Sequence, residues 1–494
     1  MENANTIFQS TNLNNPNIQG NTGLNSQSAN FPSALPNTPQ PLQPNAPKGN
    51  LVQINQQETQ EKKPKGGRFG GVKKLLNLLL SIFIVLGIVM IVMIFLIPSL
   101  NKTSPSTQTT ITYWGLFEDN NVMQGIISEF EKQNPNIKVD YIKQDISQYR
   151  ERLQTRINNG TGPDIFRFHN TWYPMLKNDL LPLPEQTISK DMFTSVFYPV
   201  AQRDLIKNGA IYGIPLQIDT LALFINTGIF QSAGRTAPIS WEDFLNDARA
   251  LTVKDSNGNI TTAGAAMGTY GNVTHAPDII SLLFYENSVD FNNLSNSSSE
   301  INDALTFYES FANGANAVWN NNLDPSQLAF AKGNLAMFFG YSTDYFAIKQ
   351  FNPNLAFQIV PVPQLSGKNI TLASYWVEGV SAKSKHQAES LLFMKFLAKK
   401  ETEQKLYADE SKVRDFGEPY ARVDIADRLK NNPMVYPFVM QAPNAYSSPF
   451  VDGTFDNGLN QQLDTYLQKT IDAGNNPVDA LINAANQTYQ QYGL

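Results

Sequence analysis

Cysteine is absent from all 494 residues. That excludes disulfides, zinc-thiolate centres, cysteine nucleophiles and lipid carried on a cysteine, so any membrane attachment has to come from the chain itself. Histidine is scarce as well: His169, His275 and His386 are the only three, too scattered to suggest a metal site. No phosphate-cradling G-x-x-x-x-G-K-[ST] and no G-x-S-x-G nucleophile elbow occurs. A basic excess is missing too. Seven Lys or Arg against three Glu give residues 1–74 a charge of +4, which leaves −10 for the remainder of a chain whose total is −6. So acidic a remainder argues against nucleic acid, whose phosphates need a basic face. The calcium-loop-like start at Asp255, Asn257 and Asn259 has Ala266 where a bidentate Glu is needed, and Asn257-Gly258 predicts a hairpin turn instead.

What is present is unevenly distributed. Residues 1–61 are rich in Asn, Gln, Pro and Ser, with few apolar side chains to bury, and read as a disordered tail. The basic "KKPKGGRFGGVKK" follows, directly ahead of Leu75 to Ile97, 23 residues whose only polar members are Asn77 and Ser81. At about 1.5 Å per residue that run covers roughly 35 Å, enough for a hydrocarbon core of about 30 Å with some tilt. A cleaved signal peptide would be shorter, nearer the start and followed by a small-x-small site. The positive-inside rule keeps residues 1–74 in the cytoplasm and sends the chain from about residue 98 outward. The expectation is a single-pass anchor in the cell membrane, a linker over 98–109, and an extracellular domain beyond it.

From Thr110 strands and helices alternate. "TITYW" predicts a strand, "NNVMQGIISEFEKQ" a helix with Val122, Ile126, Ile127 and Phe130 on one face, and "IKVDYI" the next strand, which together form a unit of parallel sheet. "ISQYRERLQTRINNG" and "PDIFRF" continue the pattern. Ser240 with Asp243 three residues on predicts a capped helix that buries Trp241, Phe244, Leu245, Ala248 and Leu251, and Gln387 to Tyr407 reads as helical.

The segments "ITYWGLFED", "FEKQNPNIKVDY", "NGTGPDIF", "YGIPLQIDTLALFIN", "PISWEDFLNDARALT" and "FAKGNLAMFFGYSTDY" stand in an order that resembles the family 1 extracellular solute-binding proteins, the sugar-capturing receptors of ABC importers. The likeness runs from about residue 110 to 407, with a looser helical match to the end. It implies an α/β periplasmic-binding-protein-like fold of two lobes joined by hinge crossings, closing on ligand. The first lobe would span 110–224, completed by 364–410, and the second 225–363, completed by 411–494. Crossings would fall near Leu221 to Asn226 and near Ile359 to Gln364. The resemblance further implies no catalysis, no cofactor and no metal, a monomer, and as partners a carbohydrate and ABC permease subunits. Relatives commonly carry a lipid on cysteine; here the apolar helix looks like its substitute.

In open α/β sheets ligands sit beyond the carboxyl ends of strands. Trp114 stands there, with Gly115 and Phe117 after it. An indole presents an apolar face to the C–H side of a sugar, while amides and carboxylates take hydroxyls. On that chemistry, and on the family template, the candidate ligand contacts are Trp114, Asn170, Trp172, Gln217, Asp219, Tyr341, Asp344, Trp376 and Glu378. Asp164 and His169 read as structural, Trp241 as core, and Phe450, Asp452 and Phe455 as a looser late contact region. With Arg167 the only nearby arginine, a neutral mono- or oligosaccharide fits better than an amino acid. The rivals are a glycan-binding sensor or adhesin acting through the tail, and a glycosidase with two opposed carboxylates.

Overall fold

Strand, helix and strand begin the folded chain, as the apolar spacing demands. The computed structural model describes residues 82–90, 108–451, 453–474 and 477–494. In the strand Thr109–Gly115, Ile111, Tyr113 and Gly115 face the core. The helix Asn120–Gln133 buries Val122, Met123, Ile126, Ile127 and Phe130, and Ile137–Lys143 alternates buried Ile137, Val139 and Tyr141 with exposed neighbours. A second helix, Tyr149–Asn158, leads to Ile165–His169, buried along its whole length. The first strand lies between the other two and is parallel to both. Trp376–Val380 then adds antiparallel beside Ile165–His169, with Ile214–Pro215 at the edge.

A second sheet has the order Phe357–Val360, Ala222–Asn226, Leu335–Gly340, Ile260–Ala265, Val253–Lys254. Over it lies the helix Trp241–Leu251, whose first turn is capped by the Ser240 hydroxyl accepting from the Asp243 N–H at 3.1 Å. Trp241, Phe244, Ala248 and Leu251 are buried. Between the last two strands the Asp255 carboxylate accepts from the N–H groups of Asn257 and Asn259, both at 2.8 Å. The segment is a hairpin turn with Gly258 at φ 83.

The buried side chains form two separate hydrophobic cores, which define two lobes. Leu216 and Ile218 belong to the first core and Leu221 to Ile225 to the second, so the chain crosses at Asp219–Thr220. It returns within Thr371–Ser374, where Leu372 joins the second core and Ala373 the first. These short strands pair antiparallel, Thr220 opposite Ala373 and Asp219 opposite Ser374. Both expected crossings are therefore displaced. Leu221 to Asn226 contains the whole of the second-lobe strand Ala222–Asn226, an interior strand of its sheet, and Ile359 pairs with Phe224 in that same sheet. A later passage runs from Leu406 in the first core to Phe416 in the second.

Residues 82–90, in a separate compact unit, are helical, with Ile82, Phe83 and Leu86 exposed. The rest of the expected membrane span, 75–81 and 91–97, lies outside the described residues, as do the tail 1–74 and most of the linker. Among the described residues no helix is long and apolar enough to cross a membrane.

Gly264 marks a close helix-sheet approach: a Cβ there would stand 1.8 Å from the Ala248 carbonyl oxygen. Gly264→Ala should therefore cost about 1–3 kcal/mol by overpacking, measured as a lowered midpoint of thermal unfolding, whereas Gly234→Ala, with nothing nearby, should not act through contacts.

Candidate functional site

A cavity of about 420 Å³ lies at the paired crossings, lined from the first lobe by Phe117, Arg167, His169 and Trp376 and from the second by His275, Tyr341, Thr343 and Phe346. Gln217, Asp219 and Ser374 contribute from the crossing segments, and Arg414 and Glu418 from the later passage.

Phe117 is placed by the turn that ends the first strand. The Glu118 N–H bonds the Leu116 carbonyl at 2.8 Å, a three-residue turn that puts Phe117 at φ 66, in the left-handed region. For a bulky residue that conformation is strained by about 1–2 kcal/mol. Its result is an aromatic ring 45% exposed in the cavity. Trp376 stands beside it, contacted edge-on by three rings: Phe117 at 5.3 Å, His169 at 5.1 Å and Trp172 at 5.2 Å between centroids. The half-buried indole is thus held rigidly in the cavity wall. His169 pairs Nδ1 with the Thr171 hydroxyl at 2.8 Å and Nε2 with the Ser374 hydroxyl at 3.0 Å; burial pushes its pKa down to about 3, so the ring is neutral.

Beneath these rings lies a charged layer. Arg167, only 2% exposed, sits opposite Glu378 in register on the neighbouring strand. Its Nε and Nη2 reach Glu378 Oε1 at 2.8 and 2.7 Å, and its Nη1 bonds Glu118 and the Leu116 carbonyl. Arg414 likewise reaches Glu410 at 2.9 Å and Glu418 at 3.2 Å. Glu118, Glu410 and Glu418 bring carboxylate oxygens within 4.8 Å of one another, close enough to share a cation. Here guanidinium groups occupy that role.

Sequence-predicted contacts divide accordingly. Gln217, Asp219, Tyr341 and Trp376 line the cavity. Asp219 accepts from both the N–H and the hydroxyl of Ser342, at 2.8 and 2.7 Å, tying a crossing to the second-lobe helix Ser342–Phe351. Gln217 donates to Glu410, and Tyr341 donates its hydroxyl to Asp278 at 2.6 Å. The others stand elsewhere. Trp172 is fully buried, its Nε1 donating to Asp456 at 3.1 Å, because its ring backs Trp376. Asp344 accepts from the Tyr341 N–H at 2.7 Å and pairs with His275 at 2.9 Å, serving as a helix cap. Glu378 is the partner of Arg167, and Asn170 donates to Asp204 and Ser447, both at 2.9 Å, facing a different cavity. Trp114 is half-buried against the first core rather than in the cavity wall. Among the looser late positions, Phe450 is buried in the second core and Asp452 lies outside the described residues.

Sequence reasoning passed over His275, Arg414 and Glu418. The spacing of Glu410, Arg414 and Glu418, four apart each time, was a readable sign of mutual pairing.

Residues 114–404 match the family model of bacterial extracellular solute-binding proteins. The chain belongs to that family. A solute-binding protein is a receptor and not an enzyme, which removes the glycosidase reading. One curated relative, the multiple sugar-binding protein of Streptococcus mutans, is 24% identical over 344 residues, 63% of this chain and 77% of that one. The fold of this solute-binding protein is shared with the sugar-binding protein MalE from Xanthomonas citri, at TM-score 0.64 and 18% identity over 78% of this chain and 98% of that one. It is also shared with a solute-binding protein from Thermotoga lettingae bound with α-D-tagatose, at TM-score 0.60 and 20% identity over 78% of this chain and 100% of that one.

Burial raises the pKa of Glu118 to about 7 against the pull of Arg167, and burial, then Glu418, raises that of Glu410 to about 8. Both carboxyls hold a proton more tightly folded than unfolded, so stability falls as pH rises from the ordinary value near 4.5 through about 8. The unfolding midpoint should drop between about pH 6.5 and 8, a window above the ordinary histidine value of 6.5 in which His169 is neutral both folded and unfolded, and drop less in Glu410→Gln. Equal slopes for both proteins would remove Glu410 from this account.

Proposed function

We propose that this solute-binding protein captures a neutral carbohydrate, an oligosaccharide rather than a free amino acid, in the interlobe cavity and delivers it to an ABC transporter. The observation that carries the reading is Trp376, wedged by Phe117, His169 and Trp172 so that an indole borders a cavity with polar groups on its other walls. Aromatic faces pack on the C–H side of sugar rings, and Asp219, Gln217 and the hydroxyl groups nearby suit sugar hydroxyls. A ligand carboxylate would need an arginine, yet each arginine of the cavity already has two carboxylates. Hinge bending at the paired crossings would then bring Tyr341 and His275 onto the sugar from the second lobe. The name of the streptococcal relative supports the ligand class. The run Leu75 to Ile97 would hold the protein in the cell membrane as a single-pass anchor, with residues 1–74 cytoplasmic and the two lobes outside.

Calorimetry on the full chain in detergent, titrated with maltotetraose, mannotriose, single sugars and amino acids, tests the reading. An oligosaccharide should bind, and Trp376→Ala should weaken it at least tenfold, about 1.4 kcal/mol. Binding confined to a charged amino acid or peptide would defeat it. Retention of the intact chain in membranes after alkaline washing, with external protease removing the two lobes, checks the anchor.

A further inference from the structure

A second cavity, about 580 Å³ and so larger than the first, also lies between the lobes and shares no lining residue with it. The division falls inside one short segment: His169 lines the first cavity, Asn170 and Thr171 the second. Its walls combine two kinds of chemistry. Aromatic rings come from both lobes. Tyr173 of the first lobe packs on Tyr212 at 4.9 Å, and Tyr285 of the second stacks on Phe291 at 4.3 Å and 25°. Beside them stands Asp204, whose Oδ2 takes three donors, the Asn170 amide, the Tyr375 hydroxyl and the Ser447 hydroxyl. Oδ1 is left to receive a ligand hydroxyl.

Tyr489 supplies an independent sign. It lines the cavity, is 8% exposed, and its buried hydroxyl has no hydrogen-bond partner. Buried hydroxyls are seldom left unsatisfied, and a shift of this ring on binding would bring the hydroxyl to a hydroxylated ligand. A further hollow of about 310 Å³ adjoins it, sharing Asp204, Tyr285, Phe291, Asn292 and Ser447. An elongated ligand suits that shape better than a compact one.

We infer that this second cavity is a separate carbohydrate-binding site, taking an oligosaccharide across the Tyr173 and Tyr285 rings with its hydroxyls on Asp204 and Tyr489. It uses none of the residues of the proposed transport cavity. The two sites are therefore separable by mutation.

The test is calorimetry with parallel tryptophan fluorescence on the full chain in detergent, using maltotetraose and mannotriose. With at least one probe the chain should show two binding events, and only the Trp376-dependent one should change tryptophan emission, because no tryptophan lines the second cavity. Tyr173→Ala should weaken the silent event at least tenfold. Asn292→Trp, which fills the cavity mouth from an exposed position and so spares the core, should abolish it. A single event that Trp376→Ala removes and Asn292→Trp leaves intact would overturn the inference while sparing the transport reading. A single silent event removed by Asn292→Trp would support the second site and defeat the first reading. Absence of binding by both probes would overturn both.

Discussion

A guanidinium held at 2% exposure must find its countercharges inside the protein, and Arg167 finds them on two segments remote in sequence. Glu118 follows the first strand, and Glu378 lies 211 positions beyond Arg167 on the returning strand. Meeting that demand fixes the neighbours of both acids. Phe117 is drawn into its left-handed turn directly before Glu118, and Trp376 stands two residues ahead of Glu378, on the strand whose register the ion pair sets. The aromatic wall of the cavity is thus a consequence of the charged layer below it. Removing one member of a buried pair costs about 3–5 kcal/mol, since the other is left uncompensated. The arrangement accordingly holds the aromatic wall rigidly.

The same layer connects to the parts that join the lobes. Glu410 accepts from Gln217 at a crossing and from the Glu418 N–H at 2.8 Å, while Arg414 lies over the Phe346 ring, 5.0 Å from its centroid, in the second lobe. Asp415 takes the Tyr345 hydroxyl at 2.8 Å. So the passage after Glu410 links first-lobe charge to second-lobe aromatics, and the antiparallel pairing of Asp219–Thr220 with Thr371–Ser374 supplies two short strands about which the lobes turn in the proposed closure.

How legible was this in the sequence? The period-two and period-3.6 patterns located the strands Thr109–Gly115 and Ile137–Lys143 and the helices Asn120–Gln133 and Trp241–Leu251, because each buries one face. The crossings were misplaced because "LALFIN" and "IVPVPQ" are simply apolar. Nothing local distinguishes a strand that leaves a lobe from one that centres it. Residue type picked out Trp376, Tyr341, Gln217 and Asp219, which line the cavity, but could not separate an indole facing a cavity from one backing it, which is the difference between Trp376 and Trp172. Arg167 within "DIFRF" was the unread clue: an arginine in an otherwise apolar strand requires acids that only the tertiary fold supplies. As for the stretch "ITYWGLFED", the aromatic that lines the cavity is Phe117, turned outward by strain, while Trp114 packs against the first core.

The account centres on a two-lobe receptor that closes over sugar at the paired crossings. Its lack of cysteine makes that directly measurable. Dyes attached through Glu129→Cys in the first lobe and Arg249→Cys in the second, both at exposed positions, report interlobe distance in the full chain by energy transfer. The account predicts that transfer shifts with the same midpoint as oligosaccharide binding, and that Trp376→Ala moves both midpoints together. Oligosaccharide binding that leaves the interlobe transfer unchanged would contradict it.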